Sequence, residues 1–121
     1  MAKPGVVKIT QRADFDAVMA AGVSASTLHF ALHTQPNALQ NRIGAVVPKR
    51  WAKNAVTRNA IKRQIYALAS QIQPCNEAAD MVVRLRKTFQ RSEFTSASSV
   101  ALKQAVRNEL QQLFDKAREA P

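Results

Sequence analysis

"RIGAVVPKRWAKNAVTRNAIKRQI", Arg42 to Ile65, passes from a β-branched run through a proline and a basic turn into a helix-forming stretch. "RIGAVV" stops at Pro48, which has no N–H to offer a ladder, so it reads as a short strand. From Asn54 the spacing predicts a helix of about five turns ending at Gln73, because Pro74 disfavours helical geometry in the residue before it. At about 100° per residue, Ile61, Ile65, Leu68 and Ile72 fall within roughly 60° of one another and form a buried stripe. Lys62, Asn59 and Tyr66 lie on the opposite side, flanked by Arg58 and Arg63. The stretch therefore predicts a helix whose back is anchored in a core and whose front is cationic.

The surrounding chain sharpens that charge. Eighteen Lys and Arg stand against eight Asp and Glu, a net charge of +10. No acid occurs between Asp16 and Glu77, an interval that holds Arg42, Lys49, Arg50, Lys53, Arg58, Lys62 and Arg63. A solvated surface without a partner normally intersperses carboxylates, since like charges repel when nothing neutralises them. The partner expected is anionic, either nucleic acid or a charged membrane surface. No window approaches the roughly 18 apolar residues of a membrane span, and "MAKPGVVKITQRADF" lacks the apolar core of a secretory signal. The expectation is a cytoplasmic protein that does not span a membrane, with nucleic acid rather than a membrane as its partner.

At 121 residues and 46% hydrophobic, the chain suits one domain with one core, spanning 1–121 with an ordered part of about 10–118. "RADFDAVMAAG" places Phe15, Val18 and Met19 at helical spacing, with Gly22 as a stop. "TLHFALHT" alternates Leu28, Phe30 and Leu32 with His29, Ala31 and His33, which predicts a strand with one open face. With "PNALQN" as a turn, that strand and "RIGAVV" are expected to form a hairpin. "VSAST" is a candidate additional strand, and "ADMVVRLRK" a later one. "SASSVALKQAVRNELQQLFDKARE" sets Leu102, Val106, Leu110, Leu113, Phe114 and Ala117 on one stripe behind a serine-rich start that can cap. The element order predicts an α+β layered fold.

Catalytic or metal chemistry finds little purchase. Cys75 has no second thiol for a disulfide and no nearby His. His29 and His33 are expected to face solvent on a strand rather than to ligate. No neighbouring carboxylates are evident to hold magnesium, which prefers hard oxygen ligands. The basic helix offers recognition instead. Arg58 and Lys62 stack at i,i+4, as do Asn59 and Arg63. Arginine grips phosphate oxygens through a planar fork while lysine acts as a mobile point charge. Asn59 adds an uncharged donor and acceptor, a mixture that can read sugar hydroxyls and shape and so leans toward folded RNA.

Residues 42–65, with "AVTRNAIKR" at their centre, resemble the signature region of the protein subunit of bacterial ribonuclease P, the ribonucleoprotein nuclease that trims the 5′ leader from precursor tRNA. The likeness extends to the "DF" helix, the strand pair, the "AD-M-V-V" strand and the terminal helix, over roughly residues 10 to 118. It implies a single-domain α/β sandwich of order αβββαβα with a left-handed βαβ crossover, like a domain of a small-subunit ribosomal protein. In that family the RNA subunit performs hydrolysis with bound Mg2+, while the protein helps hold the RNA and the substrate. The resemblance assigns Arg58, Asn59, Lys62 and Arg63 to RNA contact, and Phe15, Met19 and the exposed strand position His33 to a cleft for the single-stranded leader, where aromatic or imidazole faces can stack on bases.

The chain departs from the family pattern at four places. Ala60 stands where another Arg is usual, Tyr66 where an Arg is frequent, and Met19 and His33 where aromatics are common. Tyr66 is expected to stack on RNA rather than pair, and Lys49, Arg50 and Lys53 to restore the lost charge. The implied partners are ribonuclease P RNA and precursor tRNA, with no DNA, since a helix-turn-helix would need a second helix close before the basic one. The rival reading is a ribosomal or RNA-chaperone protein of related fold.

Overall fold

The computed structural model describes residues 7–36, 41–71, 79–89 and 100–119. Along the chain these form β1 (Val7–Lys8), α1 (Arg12–Ala20), β2 (Val23–Ser26), β3 (Phe30–Pro36), β4 (Arg42–Val46), α2 (Ala55–Gln71), β5 (Ala79–Leu85) and α3 (Val100–Glu119). The order αβββαβα is present, preceded by the short β1, which the sequence reading did not include. Ile72, the end of the expected helix at Gln73, Cys75, Glu77 and the serine-rich start of the last helix lie outside the described residues.

All five strands join one sheet in the order β1-β4-β5-β3-β2. The expected hairpin between β3 and β4 does not form. β5 lies between them, antiparallel to β3 from Phe30↔Leu85 to Pro36↔Ala79 and parallel to β4 from Arg42↔Asp80 to Val46↔Arg84. The turn residues between β3 and β4 carried the local inference. "ADMVVRL" is apolar at five of its seven positions and buried at six, as suits a strand with ladders on both edges and layers on both faces. Inserting it between the other two satisfies the backbone of both neighbours. β4 and β5, being parallel, need a long crossover, which α2 supplies.

The second correction concerns β3. Its open face does not exist: Phe30, Ala31, Leu32 and His33 are all buried, whereas Leu28, outside the strand, is 60% exposed. Both sheet faces are covered. On one, Phe30, Leu32, Ile43, Met81 and Val83 pack with Ile61 and Ile65 of α2 and Leu110 and Phe114 of α3 into the main core. On the other, α1 closes a smaller core of Ile9, Val18 and Val82, against which Phe15, Met19 and Val46 pack.

The helices follow the predicted periods. Ile61, Ile65 and Leu68 of α2 are buried, and so are Leu102, Val106, Leu110, Leu113 and Phe114 of α3, with Ala117 packed at the margin. α1 stops at Gly22, whose φ of +96° is the left-handed geometry a helix C-terminus favours and a side chain resists.

An ion-pair network binds α1 to the sheet. Arg42 and Asp80 are register partners on β4 and β5. The Arg42 guanidinium donates Nε to Asp80 Oδ1 at 2.7 Å and Nη2 to Oδ2 at 2.6 Å, a two-pronged grip, while Nη1 reaches Asp14 Oδ2 of α1 at 3.2 Å. The hydrogen bond to Asp80 raises the Arg42 pKa above its ordinary value. Arg42, first in the acid-free interval, is thus neutralised within the fold.

Candidate RNA interface

The basic helix starts as its sequence demands. Asn54 Oδ1 accepts from the Val56 N–H at 2.8 Å, which satisfies one orphan donor of the first turn. The connection from β4 is a turn in which the N–H groups of Trp51 and Ala52 both donate to the Pro48 carbonyl. Trp51 packs against the main core and Ala52 is buried, so the loop is pinned from within. Lys49, Arg50 and Lys53 between and beside these anchors point outward. Arg50 lies over the Trp51 ring, 5.5 Å from its centroid, which orders a side chain otherwise free to wander.

On α2, Asn59 and Arg63 are exposed and Arg58, Lys62 and Tyr66 are half-buried along the adjoining row. Among the described residues, Lys49, Arg50, Lys53, Lys62 and Arg63 form no ion pair. Loop and helix together thus present a continuous uncompensated cationic arc. Arg58 stands apart. Its Nη1 donates to the carbonyls of Ala52 at 3.0 Å and Lys53 at 2.8 Å, so it braces the loop against the helix, while among the described residues its other nitrogens have no hydrogen-bond partner. Ala60, where an arginine is usual in the family resembled, is buried. Tyr66 packs partly on the main core rather than standing directly opposite it.

The proposed leader residues separate into two kinds. Phe15 and Met19, half-buried on α1, pack against the small core of Ile9, Val18 and Val82. Gly44 makes room for the Phe15 ring, since a Cβ there would sit 2.8 Å from Phe15 Cζ and closer still to Cε1. His33 is not exposed, as the alternating pattern implied, but 4% accessible beneath α1. Its Nδ1 donates to the Gly22 carbonyl at 3.0 Å, and its Nε2 faces the Arg84 Nε–H at 3.4 Å. Those partners select the neutral Nδ1–H tautomer. Burial, and then the charge of Arg84, lower the His33 pKa from the usual 6.5.

A lowered histidine pKa carries a sign. The unfolded chain binds the proton before the folded one does, so stability is unaffected above about pH 6.5 and declines as pH falls below it. His33→Gln should therefore show a smaller loss of urea midpoint between pH 7 and pH 5 than the parent protein. Equal losses would mean that His33 takes up its proton without strain in the fold.

His29 is likewise not a solvent-facing strand residue. It precedes β3, its Nδ1 lies 2.7 Å from Glu109 Oε1 of α3, and its ring stacks on Phe89 with centroids 3.9 Å apart. Glu109 also accepts from the Thr27 hydroxyl and the His29 N–H, both at 2.6 Å, so the cluster docks α3 onto the sheet. No group of three or more His, Cys, Asp or Glu side chains among the described residues could hold a metal ion. Asp14 and Asp80, which do converge, meet on Arg42.

Comparison with known proteins gives a consistent picture. The Ribonuclease P family model matches residues 4–118. The ribonuclease P protein component of Ralstonia pickettii is 35% identical over 117 residues, covering 96% of this chain and 82% of that protein. The corresponding protein of Paraburkholderia xenovorans is 31% identical, covering 98% and 89%. The RNase P protein of Staphylococcus aureus has a similar structure, with a TM-score of 0.72, 25% identity and coverage of 96% of this chain and 99% of that one.

Proposed function

The chain belongs to the ribonuclease P protein family, a subunit of the endoribonuclease ribonucleoprotein that acts in tRNA processing, and from that premise we propose how its surface divides the work. Lys49, Arg50, Lys53, Asn59, Lys62 and Arg63 bind the ribonuclease P RNA, with Arg58 both bracing and contacting. The observation that carries this is the uncompensated cationic arc on a loop and helix whose backs are locked into the core. Such an arc gains affinity by displacing counterions from phosphates. Phe15 and Met19 offer apolar faces to the single-stranded 5′ leader of precursor tRNA, and buried His33 acts from beneath by holding Arg84 in place. No helix among the described residues is long and apolar enough to cross a membrane, and the setting proposed is the cytoplasm.

The protein alone is inactive in this reading. Magnesium, which in phosphodiester cleavage stabilises the attacking and leaving oxygens, is bound mainly by the RNA. The chain's own part is to lower repulsion between RNA segments and to hold the leader. The test mixes purified protein, a bacterial ribonuclease P RNA and a precursor tRNA at low magnesium. The matured 5′ end should appear with RNA and protein together, and not with protein alone. Asp14→Ala and Asp16→Ala should leave the single-turnover step unchanged at saturation. A thousandfold loss at either, with folding and binding intact, would place a metal ligand on the protein and sink the division of labour. Cosedimentation with ribosomal subunits, without stimulation of any ribonuclease P RNA, would favour the ribosomal alternative.

A further inference from the structure

Lys8 lies far from the basic run in sequence but beside it in space. Its neighbour Ile9 is buried in the small core under α1, so the period of two turns Lys8 toward the opposite face of edge strand β1, the face that carries α2. There its ammonium lies over the Tyr66 ring, 4.5 Å from the centroid. Tyr66 is one turn beyond Lys62, which is one turn beyond Arg58, so the three form a single i,i+4 row along the helix. The first two members of that row are cationic and the third is neutral, yet a cation from another element occupies its place.

We propose that Lys8 is a further RNA-phosphate contact, and that the Tyr66 ring is the positioning residue that holds its ammonium in line with Arg58 and Lys62. The negative face of an aromatic ring attracts an ammonium without neutralising it. Lys8 is exposed, and among the described residues it forms no ion pair. The ring is itself fixed by packing on the main core. The cationic row then runs over three successive turns, spaced by the helix pitch of about 5.4 Å. One face of the Tyr66 ring is engaged by the lysine, so residue 66 acts on RNA through that charge rather than by stacking on this face. The inference rests on the reading of α2 as the RNA-binding helix.

The test is equilibrium binding to a transcribed bacterial ribonuclease P RNA over a series of salt concentrations. Lys62→Ala serves as the reference for α2 itself. Lys8→Ala should weaken binding several-fold and make the log–log salt slope shallower by roughly 0.7–0.9, the share of one phosphate contact. Tyr66→Leu should lose most of the same slope although it removes no charge, while Tyr66→Phe, which keeps the ring, should lose almost none. The Lys8→Ala, Tyr66→Leu double variant should lose no more than Lys8→Ala alone. If Lys62→Ala flattens the slope and Lys8→Ala does not, the inference fails while the reading of α2 stands. If neither variant changes the slope, both fall. A drop in melting temperature for Lys8→Ala with an unchanged slope would make the contact a structural clamp only, and would also overturn it.

Discussion

Asp80→Ala should lower stability by about 2–3 kcal/mol, a large part of the margin a domain of this size possesses. Asp80 is 7% exposed, on the central strand β5. Its carboxylate takes two of the three hydrogen bonds that Arg42 makes to carboxylates, and Asp14 supplies the third at 3.2 Å. Removing it leaves a guanidinium beneath α1 with one distant partner, and the loss of a buried partner costs more than the pair itself contributes. Because the Arg42 side chain retains 24% exposure, water recovers part of the penalty, which sets the figure below the 3–5 kcal/mol of a fully buried pair. Thermal or urea unfolding measures it, with a fall in melting temperature on the order of 10 °C. Replacing both partners, Arg42→Met with Asp80→Leu, should be much milder, since no orphaned charge remains. A single variant as stable as the parent would show that the network is ornamental to the fold.

The residues in that network explain what could be read from sequence and what could not. α2 and α3 were legible because their stripes, Ile61–Ile65–Leu68 and Leu102–Val106–Leu110–Leu113, repeat within a few turns and need no knowledge of distant chain. Gly22 was legible for the same reason, as a local stop. The hairpin was misread because β5, which separates β3 from β4, enters the sheet after α2, and no local pattern announces where a later strand will insert. His33 followed the alternation faithfully, but whether an alternating face is open depends on what covers it, and here the end of α1 does so, with the Gly22 carbonyl accepting from the His33 ring. The cationic arc was legible as composition, since an acid-free interval is visible in one dimension. Its membership was less so: Arg42 leaves it for Asp80, 38 positions on, Arg58 turns one nitrogen back onto the loop carbonyls of Ala52 and Lys53, and Lys8 comes beside it over the Tyr66 ring.

The triple variant Lys53→Ala, Lys62→Ala, Arg63→Ala should weaken binding to ribonuclease P RNA on the order of a hundredfold to a thousandfold. On the proposed interface each side chain supplies one charge-assisted phosphate contact, and about 1–1.5 kcal/mol apiece sits at or just below the lower bound for hydrogen bonds to charged groups. Three together amount to about 3–4.5 kcal/mol, and 1.4 kcal/mol is a factor of ten. The salt slope should become shallower by roughly 2–3. Stability should move little, because Lys53 and Arg63 are exposed, Lys62 is half-buried, and among the described residues none is ion-paired. Removing three like charges from neighbouring positions also relieves repulsion in the free protein, so a slight rise in melting temperature accompanies the lost affinity. That opposition is diagnostic, since a residue kept for the fold loses stability when truncated, whereas one kept for an anionic partner loses affinity and slope. Binding of the triple variant within threefold of the parent at physiological salt, with an unchanged slope, would move the RNA interface away from α2 altogether.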